Sequence, residues 1–131
     1  MIAVDTSALM AILKDEAERV SFMQVLKQTE RVIISAATVI EARVVAHRRG
    51  GKALVEALDD LLRTISTQVV PVEEPEADIA HAAFVQYGKG SGHPAQLNFG
   101  DLFSYALAKA RGVPLLYKGD DFVHTDIEAA G

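Results

Sequence analysis

The chain has 131 residues, half of them hydrophobic, and its 13 basic and 18 acidic side chains give a formal charge of −5. That length suits one domain, 1–131, and the charge argues against broad, non-specific adhesion to nucleic acid while leaving open a nucleic-acid substrate held by local cations. The absence of cysteine excludes disulfides and thiolate metal sites. No stretch approaches the ~20 apolar residues of a membrane span and no basic, apolar leader precedes Ile2, so the expected address is the cytoplasm, without a membrane partner.

The sequence opens on a short β-branched run, Ile2 to Val4, read as a fully buried strand, and Asp5-Thr6-Ser7 follows at its carboxyl end. Ala8 to Leu13 is helical in pattern. A second helical stretch runs from Glu16 to about Lys27, with Val20, Phe22, Met23 and Leu26 as its apolar contacts. Val32-Ile33-Ile34 is a second strand ended by Ser35, and a helix follows from about Ala36 to Arg49, stopped by Gly50-Gly51. From Lys52 to Ile65 the residues Leu54, Val55, Leu58, Leu61, Leu62 and Ile65 form one apolar stripe of an amphipathic helix. Gln68 to Val72 reads as a third strand. Pro75 suits the first turn of a helix whose buried face is Ile79, Ala83, Phe84 and Tyr87. Gly88 to Gln96 is a loop, Phe99 to Arg111 a helix ended by Gly112, and Leu115-Leu116-Tyr117 a fourth strand leading into the turn Gly119-Asp120-Asp121. Ile127 to Gly131 is a candidate edge strand. Strands alternating with helices predict a three-layer α/β/α domain with a central, mainly parallel sheet of four to five strands.

In such a domain the strand ends and the helix starts that follow them share one edge, where open α/β sheets place their ligands. Asp5, Asp120 and Asp121 follow strands; Glu41 and Asp101 lie near helix starts. Each has a local alternative. Asp5 can cap a helix, Thr38 to Glu41 and Asn98 to Asp101 can form capping boxes, and Asp120-Asp121 can be a solvated turn. Asn98, Asp101, Ser104 and Tyr105 also form a polar stripe on an otherwise apolar helix. Carboxylates gathered on one edge repel one another unless cations intervene. With only oxygen ligands on offer, the ions selected are Mg²⁺ or Mn²⁺, and such ions suit in-line attack of water on a phosphodiester.

At these residues the chain resembles the PIN-domain superfamily, and within it the VapC toxins of toxin–antitoxin pairs. The matching pieces are Val4-Asp5-Thr6-Ser7-Ala8, Ser35-Ala36-Ala37-Thr38 through Glu41-Ala42-Arg43, and Tyr87-Gly88-Lys89-Gly90. Then come Leu97-Asn98-Phe99-Gly100-Asp101 with Ser104 to Ala108, Pro114 to Phe122, and Thr125-Asp126-Ile127. They span nearly the whole chain in order. The resemblance implies a PIN-like fold and a Mg²⁺-dependent endoribonuclease (Mn²⁺ a substitute) that cleaves RNA, tRNA or rRNA, and arrests translation. It implies Asp5, Glu41 and Asp101 as the acidic residues of the catalytic metal site, Asp5 and Asp101 being the firmest ligands, with the fourth acid at Asp120 or Asp121. Thr6 or Ser7 would orient Asp5 or a water, Asn98 and Ser104 would support the ligands from behind, a cognate antitoxin would cover the site, and the toxin would form a homodimer.

Arg43, His47, Arg48, Arg49 and Lys52 form the densest basic patch; it is either a solvated helix end favourable to the dipole or a contact for phosphate or an acidic antitoxin segment. Lys89, His93 and Lys118 are further candidates for RNA backbone. The four histidines show no ligand pairing, and no P-loop or GxGxxG is present. Two other functions stay open: a non-catalytic PIN-like binding module, and a haloacid-type phosphatase, which wants a second Asp at the position of Ser7.

Overall fold

The alternation of side chains along three very short strands determines the layering. The computed structural model describes residues 1–131. Strands β1 (Ile2–Val4), β2 (Val32–Ser35), β3 (Gln68–Val70) and β4 (Leu115–Leu116) form one parallel sheet in the order β3-β2-β1-β4. On one face Ile2, Val4, Val32, Ile34 and Leu116 meet α1 (Thr6–Leu13), α2 (Arg19–Gln28) and α3 (Ala36–Thr64). On the other, Ala3, Ile33 and Leu115 meet α4 (Glu74–Tyr87) and α5 (Phe99–Arg111). A one-residue slip in any strand would exchange these two sets. The result is the α/β/α sandwich expected.

Some elements depart from the reading of the sequence. The fifth strand is reduced to a single parallel bridge, Leu115 to Ala129, closed by Leu115 N–H to Glu128 O and Ala130 N–H to Leu115 O, both 2.9 Å. β3 stops at Val70 and leaves Val72 exposed, and β4 stops at Leu116. α2 begins at Arg19, because Asp15 takes a positive φ of 54° and residues after it form a turn. Val20 and Phe84, expected inside, are exposed, since α2 packs through Phe22 and Leu26 and α4 through Ala83 and Tyr87.

The long α3 is two helical segments joined at Gly51, whose φ of 64° and ψ of −156° belong to a region essentially reserved for glycine. The break lets the second segment fold back so that Leu58 becomes fully buried. Gly51→Ala is expected to cost about 1–3 kcal/mol, measured as a fall in the urea midpoint with unchanged m-value; a midpoint within error of wild type would show that the kink relaxes without strain.

Candidate metal site

β1 lies between β2 and β4, so Asp5 emerges at the middle of the carboxyl edge. It is only 4% exposed and is held from three directions. Oδ2 accepts from the Ser7 amide at 3.1 Å and the Ser7 hydroxyl at 2.7 Å, and Oδ1 accepts from Ser104 Oγ at 2.5 Å. Asp5 therefore does cap α1, but capping uses one oxygen and leaves the carboxylate facing the edge. Ser7 Oγ in turn accepts from the Lys118 amide at 3.0 Å, which ties the chain beyond β4 to the end of β1.

Ser104 has one hydroxyl proton and donates it to Asp5. The 3.3 Å contact between Thr38 Oγ1 and Ser104 Oγ is then directed from Thr38 to Ser104 by proton count. Thr38, fully buried, is thus the back of a hydroxyl relay and not a helix cap; α3 is capped by Ser35, whose Oγ accepts from the Ala37 amide. Glu41 is accordingly free of the capping box expected for it. Its Oε1 accepts from Thr6 Oγ1 at 2.6 Å, and its other oxygen lies where a Cβ on Gly100 would be, 1.6 Å away. Only a residue without a side chain fits there. Burial pushes the Glu41 carboxyl above its usual range, the Thr6 bond pulls it down, and the charge of Asp5 pushes it up again.

At Asp101 the local and the functional readings coexist. Asn98 Oδ1 accepts from the Asp101 amide at 2.9 Å and Asp101 Oδ2 from the Asn98 amide at 3.0 Å, a complete reciprocal cap of α5. Yet Asp101 is 7% exposed and its carboxyl is pushed up to about 7, by burial first, against the lowering bond from Asn98, and then by the charges of Asp121, Asp5 and Glu41. Asp121 lines the same pocket and Asp120 does not, so the turn after β4 brings one of the two candidate acids in. Tyr105, read as part of the polar stripe, points the other way: it is buried in the second core and donates to Asp126 Oδ1 at 2.6 Å.

The pocket is open, about 420 Å³, and Asp5, Glu41, Asp101, Asp121, Thr6, Ser7 and Asn98 are among its lining residues. The buried polar side chains of the chain are Asp5, Thr6, Ser35, Thr38, Asp101 and Ser104, all of them on this edge. No three histidine or acidic side chains converge closely enough to ligate one ion together. That arrangement still fits Mg²⁺, which keeps several waters and takes one or two carboxylates directly, and the all-oxygen donor set is of the kind a hard cation takes. Thr38, Gly100 and Arg49 are the pocket-building residues that motif reading passed over or left ambiguous. Thr38 had a local explanation as a cap, and Gly100 carries no functional group.

Asp101 is raised in the fold, so the metal-free protein loses stability as pH rises from the ordinary carboxylate range through about 7. Asp101→Asn, which keeps an acceptor for the Asn98 amide, is expected to raise the Tm of metal-free protein at about pH 8, with a gain that shrinks toward pH 4. Calorimetry in chelator checks this; a pH-independent loss of Tm would assign Asp101 to capping alone.

Comparison with known proteins places this geometry in context. Residues 2–128 match the PIN domain family. The chain is 44% identical over 127 residues to Ribonuclease VapC28 of Mycobacterium tuberculosis, covering 97% of this chain and 96% of that one. To Ribonuclease VapC42 of the same species it is 42% identical over 127 residues, 97% of each chain. Among solved structures it is similar to M. tuberculosis VapC20, described as a sarcin-ricin loop cleaving toxin, with a TM-score of 0.75, 20% identity and coverage of 97% and 96%. VapBC2 from Rickettsia felis, bound to a DNA fragment from its promoter, aligns with a TM-score of 0.75 at 13% identity, covering 98% and 97%.

Proposed function

The chain belongs to the PIN-domain family and, within it, to the VapC ribonucleases, and from that membership we propose that its acidic pocket is the active site of a Mg²⁺-dependent endoribonuclease, the toxin of a toxin–antitoxin pair that arrests translation by hydrolysing tRNA or rRNA. The observation that carries this reading is that every buried polar side chain gathers on the edge where Asp5, Glu41, Asp101 and Asp121 share one pocket. A structural domain gains nothing from burying mutually repelling carboxylates there.

Asp5 and Asp101 would hold the cation directly, with Glu41 and Asp121 reaching it directly or through its waters. When bound, the cation neutralises these carboxylates and polarises the phosphodiester and the attacking water. The chain's own residues fix the geometry. Ser7, Ser104 and Thr38 hold Asp5 in one rotamer, and Thr6 holds one oxygen of Glu41, leaving the other to take the proton of the attacking water. Water adds to phosphorus as the bond to the leaving ribose oxygen breaks; that oxygen takes a proton from solvent water, and Glu41 releases to solvent the one it took.

The relatives named VapC ribonucleases support RNA as substrate. The toxin–antitoxin complex from Klebsiella pneumoniae, similar in fold with a TM-score of 0.71, supports an antitoxin partner. Exposed Phe99 (74%) and Ile40 (64%), beside the pocket, favour a protein partner, antitoxin or second copy, over open solvent. No helix is long and apolar enough to cross a membrane.

Purified protein incubated with total RNA and Mg²⁺ is expected to generate discrete new ends that chelation, Asp5→Asn or Asp101→Asn abolishes while circular dichroism stays native. Release of phosphate from p-nitrophenyl phosphate instead would support a phosphatase, and neither reaction would leave a binding module. Gly100→Ala is expected to keep the fold but lower cleavage about 10–100-fold, the range seen when residues supporting a metal ligand are lost, because Glu41 must vacate its position; full activity would show that Glu41 is dispensable.

A further inference from the structure

Two cations, Lys118 and Arg49, line the acidic pocket. Lys118 is committed: its Nζ lies 3.2 Å from Glu18 and 3.4 Å from Glu16. The basic patch on α3 also divides. Arg43 Nε pairs with Asp59 at 3.1 Å and Lys52 with Glu56 at 3.8 Å, while Arg48 is exposed away from the pocket. Arg49 is the remaining arginine, exposed on the pocket rim and in no ion pair.

Its place follows from helix geometry. Glu41, Val45 and Arg49 are spaced by four residues and all line the pocket, a single stripe of α3. Arg49 is two turns beyond Glu41, about 12 Å along the axis, and helical side chains lean toward the N-terminus, so the guanidinium reaches back over the rim. No ion pair joins it to Glu41 or Asp101. A guanidinium held near, but apart from, a cation-binding acid cluster is suited to a planar two-oxygen anion such as a phosphate.

We propose that Arg49 binds a backbone phosphate of the RNA strand adjacent to the one hydrolysed, and so sets the path of the strand across the pocket. The assignment rests on the ribonuclease reading of that pocket. A solvated helix end favourable to the dipole would describe Arg48 equally well, which makes Arg48 the control.

The test is a fluorescence-anisotropy titration of a labelled, mixed-sequence single-stranded RNA of about 12 nucleotides against protein carrying Asp101→Asn, so that no cleavage intervenes. Adding Arg49→Gln should weaken binding about tenfold, the loss of one charged hydrogen-bonding contact. It should also make the slope of log K against log salt shallower by about 0.7, one phosphate on a single strand. Arg48→Gln should change neither by more than about twofold. In protein with Asp101 intact, Arg49→Gln should raise KM and leave kcat within about twofold, as expected for a contact made equally in ground and transition states. Equal effects of Arg49→Gln and Arg48→Gln would overturn the assignment. So would unchanged RNA binding together with weakened capture of the antitoxin, which would give Arg49 to the protein partner. If the protein with Asp101 intact cuts no RNA under any divalent ion, the ribonuclease reading fails instead, and the two failures are told apart by the first arm.

Discussion

The structure depends on keeping a set of like-charged carboxylates out of bulk water at one end of a four-stranded sheet. A buried carboxylate is tolerated only when its lone pairs are met, and hydroxyls meet them here: Ser7 and Ser104 on Asp5, Thr6 on Glu41, with Thr38 satisfying Ser104 from behind. Bonds of this charge-assisted kind are each worth about 1.5–3 kcal/mol, enough to hold the rotamers but not to cancel the repulsion. At Asp101 burial comes first and the charges of Asp121, Asp5 and Glu41 add to it, so its carboxyl rises to about 7.

The sheet order makes this possible. With β1 flanked by β2 and β4, the side chain after Val4 meets α3 and α5 on either side, and the first turns of both helices aim their amides at the same edge. Asn98 and Asp101 close the start of α5 by bonding each other, so the helix is finished locally and Asp101 keeps an oxygen for the pocket. Gly100 beside it removes the one Cβ that would exclude Glu41. Two successive residues of α5 thus serve opposite ends of the same requirement, one by supplying a carboxylate and one by supplying nothing.

The layers were legible because β1, β2 and β4 are short, apolar and bounded, and their alternating residues sort onto two cores. The acids were legible because strand ends and helix starts fall on one edge in any right-handed parallel unit. Which local partner each acid takes was not legible. Thr38 and Glu41 have the spacing of a capping box, and only the three-dimensional fact that Ser35 already caps α3 frees both for the pocket. Asp120 and Asp121 are indistinguishable in sequence, since their separation depends on how the turn after β4 rotates. Tyr105 looked like part of a polar stripe because its hydroxyl is polar, but a ring of that size is drawn into the core once Asp126 on the returning tail offers an acceptor. Phe84 and Val20 were misplaced for the converse reason: apolar periodicity does not say how wide a face the neighbouring helix covers.

Charge distribution links the cation to the proposed substrate. Arg19, Arg43, Lys52, Arg63, Lys109 and Lys118 are each paired with a nearby acid, so of the two cations that line the pocket only Arg49 is left to draw in a polyanion, and the pocket itself repels phosphate while its carboxylates are bare. On the proposed reading, a divalent ion that relieves the repulsion among Asp5, Glu41, Asp101 and Asp121 also removes the repulsion between the pocket and the strand. The strand's phosphates return the favour by adding negative ligands for the ion. Binding free energies of this kind are reciprocal: on that reading ion and RNA each strengthen the other's binding by the same factor, while the protein's net charge of −5 favours the ion and disfavours the RNA when it is alone.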